Sequence, residues 1–249
     1  MGRSAAGAVL AVVGASGGVG ASALAAAVAV RARRAGVDVV LVDADPLGGG
    51  LDVTLGAEQH AGIRWPDLGG LVGAADGRAL LARLPAAADV PVLSFDRVEA
   101  HPPHEVADAV LTALAVECEL LVVDVGLGQG PVTEAALDAA TQVVVVAAHG
   151  FSQLAALSVA TAHVRGRDAT RVVPETAVCL RGRRPSLVSV SSLVEAEMGV
   201  PVAFTLDDDS GVRADLVHGI APGSRGGGAM AGTADEVLGW VVLRRRDVA

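Results

Sequence analysis

Val12–Val13–Gly14–Ala15–Ser16–Gly17–Gly18–Val19–Gly20–Ala21–Ser22 is the stretch on which the fold turns. An apolar run, Ala8 to Val13, leads into it, and an alanine-rich segment, Ala23 to Ala35, follows. That order predicts a strand, a glycine-rich turn and a helix. The turn has the spacing of a phosphate-binding loop, G-x-x-x-x-G-K-[ST], with Gly14 and Gly20 as its framing glycines and Ser22 as its hydroxyl. Ala21 stands where that pattern has lysine. Gly17, Gly18 and Gly20 allow backbone amides to turn inward as a nest for anionic oxygens. The amides of Ala21 and Ser22 open the helix and add its positive end. Ser16, Gly17, Gly18, Val19, Gly20, Ala21 and Ser22 are therefore the candidate nucleotide-binding residues, and the Ser22 hydroxyl is a candidate Mg²⁺ ligand. The same glycines also suit a tight strand-to-helix turn, so the loop needs support from elsewhere in the chain.

Outward from the loop, strand and helix signals alternate. Apolar runs at Val37–Val42, Val90–Phe95, Leu120–Val125, Gln142–Ala148, Val172–Leu180 and Val200–Leu206 predict strands. Helical spacing is expected in a patch around Leu68–Leu84, then over Glu105–Val116, Pro131–Ala139, Ser152–Arg165, Ser191–Met198, Asp209–His218 and Thr233–Arg246. Strands apolar through their whole length are buried on both faces. The alternation therefore predicts an α/β fold, a doubly wound, mostly parallel sheet with helices on both faces. In such sheets ligands bind beyond the carboxyl ends of the strands.

Two more strand ends carry marked residues. Asp124 follows Leu120–Leu121–Val122–Val123 and reads as an aspartate holding Mg²⁺ through water beside a phosphate loop. Asp43 and Asp45 end the second strand. Asp45 is a candidate for positioning an attacking water, and Asp43 is a further candidate for the metal shell through water. An aspartate before Pro46 is also a common turn former, and Asp124 alone could be a strand-end cap. The coincidence of three marked strand ends is the main functional signal.

Composition narrows the classes. The chain has 249 residues, 52% hydrophobic and only 2% aromatic, with no Tyr. Base stacking on single-stranded nucleic acid is disfavoured by so few aromatics, and a net charge of −9 argues against broad nucleic-acid binding. Glycine or a charge interrupts every apolar run short of a membrane span. All 19 basic residues are Arg. No lysine of this chain, or of an identical partner subunit, can replace the one missing from the loop. Arg213 and the cluster Arg181, Arg183 and Arg184 are the cations available to compensate. Cys118 and Cys179 lie in apolar surroundings without metal-ligand spacing and read as reduced structural thiols. His149 follows a strand at the carboxyl edge and reads as a loop histidine. His101 and His104 read as part of a solvated loop.

The motifs together resemble the MinD/ParA superfamily of deviant Walker A ATPases. Gly17–Gly18–Val19–Gly20–Ala21–Ser22 aligns with x-K-G-G-x-G-K-[ST], and Val42 to Gly56 matches V-D-x-D-x-x-x-x-x-L-D-x-x-x-G at every fixed position. Arg64–Trp65–Pro66–Asp67–Leu68 and Val92–Leu93–Ser94–Phe95–Asp96–Arg97 are similar to one branch, the actinobacterial CpaE/TadZ-like proteins called septum site-determining protein. Both family lysines are absent: Ser16 replaces the dimer-crossing one and Ala21 the loop one. Leu180–Arg181 stands where relatives often place an adenine-reading asparagine, and Val125–Gly126–Leu127–Gly128 lacks the usual proline.

The resemblance implies a single MinD/ParA-like domain over 1–249, without the receiver-like domain that relatives often carry before the loop. It implies a cytoplasmic homodimer recruited to a pole, the septum or the inner membrane surface. There it would position pilus-assembly or cell-division machinery through protein contacts. It implies ATP and Mg²⁺ as ligands, held weakly, with inefficient hydrolysis because cationic clamps on phosphoryl groups contribute several kcal/mol. The alternatives are an active ATPase using Arg in place of Lys, and a scaffold with a vestigial pocket. The apolar run Val237–Leu243 beside Arg244–Arg246 resembles a membrane-targeting helix. Packing on the sheet is the favoured reading of it.

Overall fold

The structure, a computed structural model, describes residues 6–96, 101–126, 130–166 and 173–248, without the side chains of 184–186, 188, 189 and 244–248. Its strands are β1 (Ala8–Gly14), β2 (Val39–Asp43), β3 (Ala86–Ala87), β4 (Val90–Leu93), β5 (Leu120–Gly126), β6 (Gln142–Ala148), β7 (Glu175–Arg181) and β8 (Val202–Leu206). They form one eight-stranded sheet in the order β3-β4-β2-β5-β1-β6-β7-β8. All pairings are parallel except the β3–β4 hairpin. This is the doubly wound, mostly parallel architecture expected from the alternation of apolar runs.

The helices are α1 (Ala21–Arg34), α2 (Leu51–Leu55), α3 (Gly77–Leu81), α4 (His104–Glu117), α5 (Pro131–Ala139), α6 (Phe151–Arg165), α7 (Arg184–Met198), α8 (Ser210–Val217) and α9 (Ala229–Val248). Alternation along β1 decides which face each residue serves. Val9, Ala11 and Val13 join the core beneath α4, α5 and α6, whereas Leu10 and Val12 join the one beneath α1 and α9. Helix α1 is buried on nearly all sides, with Leu24 to Val30 at 0% exposure. Alanine is what allows this: a small side chain lets α1 lie close to both the sheet and α9. Gly223 fits the same space, because a Cβ there would lie 3.0 Å from the Ala27 backbone. Arg31 at the end of α1 pairs with Asp235 of α9 at 2.7 Å.

Several boundaries differ from the sequence expectation. The patch around Leu68–Leu84 is two short pieces, a 3₁₀ turn at Trp65–Leu68 and helix α3. Gly69, Gly70 and Gly73, the last at φ 82°, break the chain between them, and Asp76 caps α3 by accepting from Ala79 N. Helix α7 starts at Arg184 rather than Ser191, with Pro185 in its first turn. Strand β7 begins at Glu175, and Val172 lies outside the described residues. The hairpin strand β3 and the short helix α2 have no clear sequence signal.

The closing helix buries Ala234, Val237, Leu238 and Val241, and Trp240 packs edge-on against Phe204 at 5.7 Å. Its apolar residues therefore serve the core. The side chains of Arg244, Arg245 and Arg246 are outside the described set. Among the described residues no helix is long and apolar enough to cross a membrane.

Candidate functional site

Strand β1 lies between β5 and β6; the chain leaves β1 toward β2 on one side and leaves β5 toward β6 on the other. That reversal opens a crevice at the carboxyl end of β1, where the glycine-rich loop sits. Gly14, Ser16, Gly17, Gly18, Val19, Gly20, Ala21 and Ser22 all line a cavity of about 370 Å³ there. Gly18 (φ 75°) and Gly20 (φ 98°) take left-handed conformations that other residues rarely adopt. Gly20 is the N-cap of α1 and has no side chain to satisfy the first amides, which leaves those donors for a ligand. The far wall of the cavity comes from Leu206, Asp207, Asp209, Val212, Arg213 and Met230, and its near rim includes Asp45, Gly126 and Arg181.

The two strand-end aspartates lie in register on neighbouring strands, Asp43 of β2 beside Asp124 of β5. Each is 2% exposed. Burial pushes the Asp124 carboxyl up to about 7; a hydrogen bond from Ser22 opposes this, and repulsion from Asp43 adds to it. Burial likewise raises Asp43 to about 6 against the pull of its hydrogen bonds from Leu51, Ser94 and Asp45. A bulge at Val125, where Asp124 pairs with Val12 but Gly126 pairs with Val13, turns the end of β5 just past Asp124.

Asp43 and Asp124 do different things. Asp124 meets Ser22 of the loop. Asp43 accepts from Asp45 N at 3.0 Å, Leu51 N at 3.0 Å and Ser94 Oγ at 2.8 Å. Its oxygens thus organise the segment that carries Asp45. Behind it, Trp65 Nε1 donates to the Asp43 carbonyl at 2.7 Å. Arg64 reaches Asp52 at 3.4 Å and the Ala57 and His60 carbonyls. Arg64, Trp65 and Ser94 marked the branch resemblance in the sequence. The structure makes them the support of the second strand end.

Asp45 is half-buried, with one oxygen accepting from Leu47 N at 3.1 Å. Its carboxylate lies over Gly126, where a Cβ would collide with it, and Gly126 itself has φ 58°. The glycine after Val125 is therefore a space requirement of Asp45. Leu127 and Gly128 lie outside the described residues.

Arg181 is the cation that sequence spacing could not place. From the end of β7, its Nη1 donates to the carbonyls of Gly18 and Val19, both at 3.2 Å. Its Nε donates to Asp208 at 3.0 Å. Arg213 lines the far wall, and the Arg184 side chain is outside the described set. His149 is exposed, with Nδ1 at 3.3 Å from the Arg181 carbonyl, and does not line the cavity. His101 packs edge-on against Phe95 at 5.6 Å, and His104 opens α4 facing Asp138. Cys118 and Cys179 are buried and not joined in a disulfide, and burial pushes the Cys179 thiol up to about 12.

These groups suit a phosphate with Mg²⁺ better than a metal alone. No group of three His, Cys, Asp or Glu among the described residues could hold a metal ion. A hydroxyl and one buried carboxylate suit a Mg²⁺ that keeps its waters, and the cradle of amides suits the phosphate it shares. The buried pair Asp43 and Asp124, each raised by desolvation, would be relieved by a cation.

No family model matches the chain. It is 34% identical over 217 residues to an uncharacterized protein found in two Mycobacterium tuberculosis strains, covering 86% of this chain. The chain spans 58% of the length of those curated relatives. Among solved structures it superposes on a ParA family ATPase from Chlorobium tepidum with a TM-score of 0.79, at 16% identity over 95% of this chain and 99% of that one. It superposes on the septum site-determining protein MinD from Pyrococcus horikoshii, complexed with Mg-ADP, with a TM-score of 0.75. There the identity is 17%, over 94% of this chain and 95% of that one. The MinC:MinD cell division complex from Aquifex aeolicus gives 0.69 at 18% identity, covering 93% and 96%. The fold is therefore that of MinD and ParA ATPases.

Proposed function

We propose that this protein is a spatial regulator of the CpaE/TadZ/Ssd-like type. It binds Mg·ATP weakly at a degenerate phosphate loop, turns it over poorly, and works as a homodimer that positions pilus-assembly or cell-division machinery. The observation that supports it most is the meeting of Ser22 with Asp124 at the foot of a loop that keeps its glycines. Those residues serve a bound Mg²⁺–phosphate pair. The residues that speed phosphoryl transfer in this fold, the loop lysine and its dimer-crossing partner, are replaced by Ala21 and Ser16. In this reading the backbone amides from Gly17 to Ser22 hold the phosphates, Ser22 and Asp124 orient the metal and its water, and Asp45 faces the γ-phosphate end. Mg²⁺ would supply charge neutralisation on the phosphates. Asp43 stabilises the segment that carries Asp45, with its own metal contact confined to the water shell.

The fold shared with MinD, which is seen in complex with MinC, favours a role exercised through a protein partner. Recruitment from the cytoplasm to a pole, the septum or the inner membrane surface would then depend on that partner. Val237 and Val241 are packed in the core, which takes them out of any membrane-facing surface.

Arg181 and Arg213 on the cavity wall favour one second reading, a working ATPase in which arginine replaces lysine. Titration with ATP and Mg²⁺, followed by phosphate release, separates these readings. Binding without release is expected. Turnover lost both in Asp45→Ala and in one arginine substitution would favour the arginine-dependent ATPase. Absence of binding at millimolar ATP would leave a scaffold with a vestigial pocket.

A further inference from the structure

The positive charge missing from positions 16 and 21 has a counterpart that comes from the end of β7, on the rim of the cavity. Arg181 ends β7, and parallel pairing to β6 and β8 fixes its backbone: Ala148 and Leu206 are its register partners. The side chain is 19% exposed. Nε and Nη2 both lie 3.0 Å from one Asp208 oxygen, which fixes the plane of the guanidinium. The two N–H groups of Nη1 then reach the Gly18 and Val19 carbonyls. A Cβ at Gly20 would sit 3.4 Å from that nitrogen, an ordinary contact, so the guanidinium packs directly against the loop.

This contact has a geometric effect on the loop. In a planar trans peptide the N–H points opposite to the C=O. The carbonyls of Gly18 and Val19 belong to the same peptides as the amides of Val19 and Gly20. When both carbonyls turn to Arg181, both amides turn away from it. A guanidinium on the carbonyl side thus aims consecutive donors away from itself, and its charge acts on any anion they hold from across the peptide plane. Lysine at position 21 would supply charge from within the loop. Arg181 supplies charge and orientation from outside it.

We propose that Arg181 is the cationic positioning residue of this phosphate loop, bracing it from the carbonyl side for a nucleoside triphosphate or pyrophosphate, with Asp208 setting its direction. This rests on the loop being an anion site as read above. Arginine, with a fixed fork of donors, suits the task because it engages the acid and both carbonyls at once.

The test is calorimetric titration of the whole chain with Mg·ATP and with inorganic pyrophosphate. Arg181→Ala should weaken both by about tenfold or more, the loss of charge-assisted hydrogen bonds. Guanidinium ion at low-millimolar concentration and constant ionic strength should restore part of that affinity in Arg181→Ala and leave the wild type unchanged. A purely structural loss would not be rescued. Arg34→Ala, which removes the same charge from the last turn of α1, should change affinity less than about threefold, since screened distant charges act weakly. Arg181→Lys should fall between wild type and Arg181→Ala. Unchanged or tighter binding in a folded Arg181→Ala overturns the proposal while leaving the anion site intact. Absence of binding of either anion to the wild type overturns the anion site and the brace with it.

Discussion

Asp124→Asn keeps the shape of a side chain that is 2% exposed and removes its charge. In the folded protein burial holds this carboxyl at about 7, against 3.8 for the ordinary group. The folded state therefore keeps a proton that the unfolded chain releases as pH rises from about 4. Stability falls through the window between the two values and levels off above about pH 7. A rise of that size corresponds to roughly 4 kcal/mol of destabilisation at about pH 8 that is absent at about pH 4. Asn removes that contribution, the repulsion Asp124 shares with Asp43 included. Its buried amide costs about 1–3 kcal/mol at every pH. The expected result is a variant more stable than wild type by about 2 kcal/mol at about pH 8 and equal or less stable at about pH 4. Urea unfolding at both pH values reads this directly. The decisive quantity is the change in ΔΔG between them, about 4 kcal/mol. A ΔΔG equal at both pH values, within about 1 kcal/mol, would refute the desolvation of Asp124. The same variant should lose Mg²⁺-dependent nucleotide affinity, so stability and ligand binding move in opposite directions.

Two further outcomes are expected. Ser16→Lys combined with Ala21→Lys should raise ATP affinity, read by titration, because both positions line the cavity and the loop keeps its glycine geometry; no gain in a folded variant would mean that the base side of the cavity has also changed. Gly126→Ala forces a side chain onto the Asp45 carboxylate at φ 58°, so it should cost about 1–3 kcal/mol in thermal or urea unfolding, and the crystal structure of the variant should show Asp45 displaced.

The strand ends were legible because their signal is local. A run of Val and Leu closing on Asp43 or Asp124 states both the strand and its end, and parallel pairing then places the two acids side by side. The loop was legible for the same reason, through Gly14, Gly20 and Ser22. Arg181 was not. Its partners, Gly18 and Asp208, lie far away along the chain on either side; the β1–β6–β7 pairing carries it to the loop, and the β7–β8 pairing sets Asp208 beside it. Gly126 looked like a departure from a motif, yet it is shaped by the carboxylate of Asp45 from another strand. Arg64, Trp65 and Ser94 could be recognised as marks of a branch without their task being visible. That task consists of hydrogen bonds to Asp43 and Asp52 which no linear spacing encodes.

The alanine packing of α1 has a consequence for motion. The loop is anchored on a helix whose residues from Leu24 to Val30 are wholly enclosed between the sheet and α9. A close-packed interior resists displacement of one element without its neighbours. Shifting α1 would require β1, β2, β5 and α9 to travel with it. The stretch beside the opposite wall is less enclosed: Asp208 is 68% exposed, and Val217, at the end of α8, is 82% exposed. Any response to a ligand would therefore be carried by the stretch from β8 through α8. In hydrogen exchange, α1 should stay among the slowest amides whether or not the cavity is filled, and the change on filling should fall on residues 207–218.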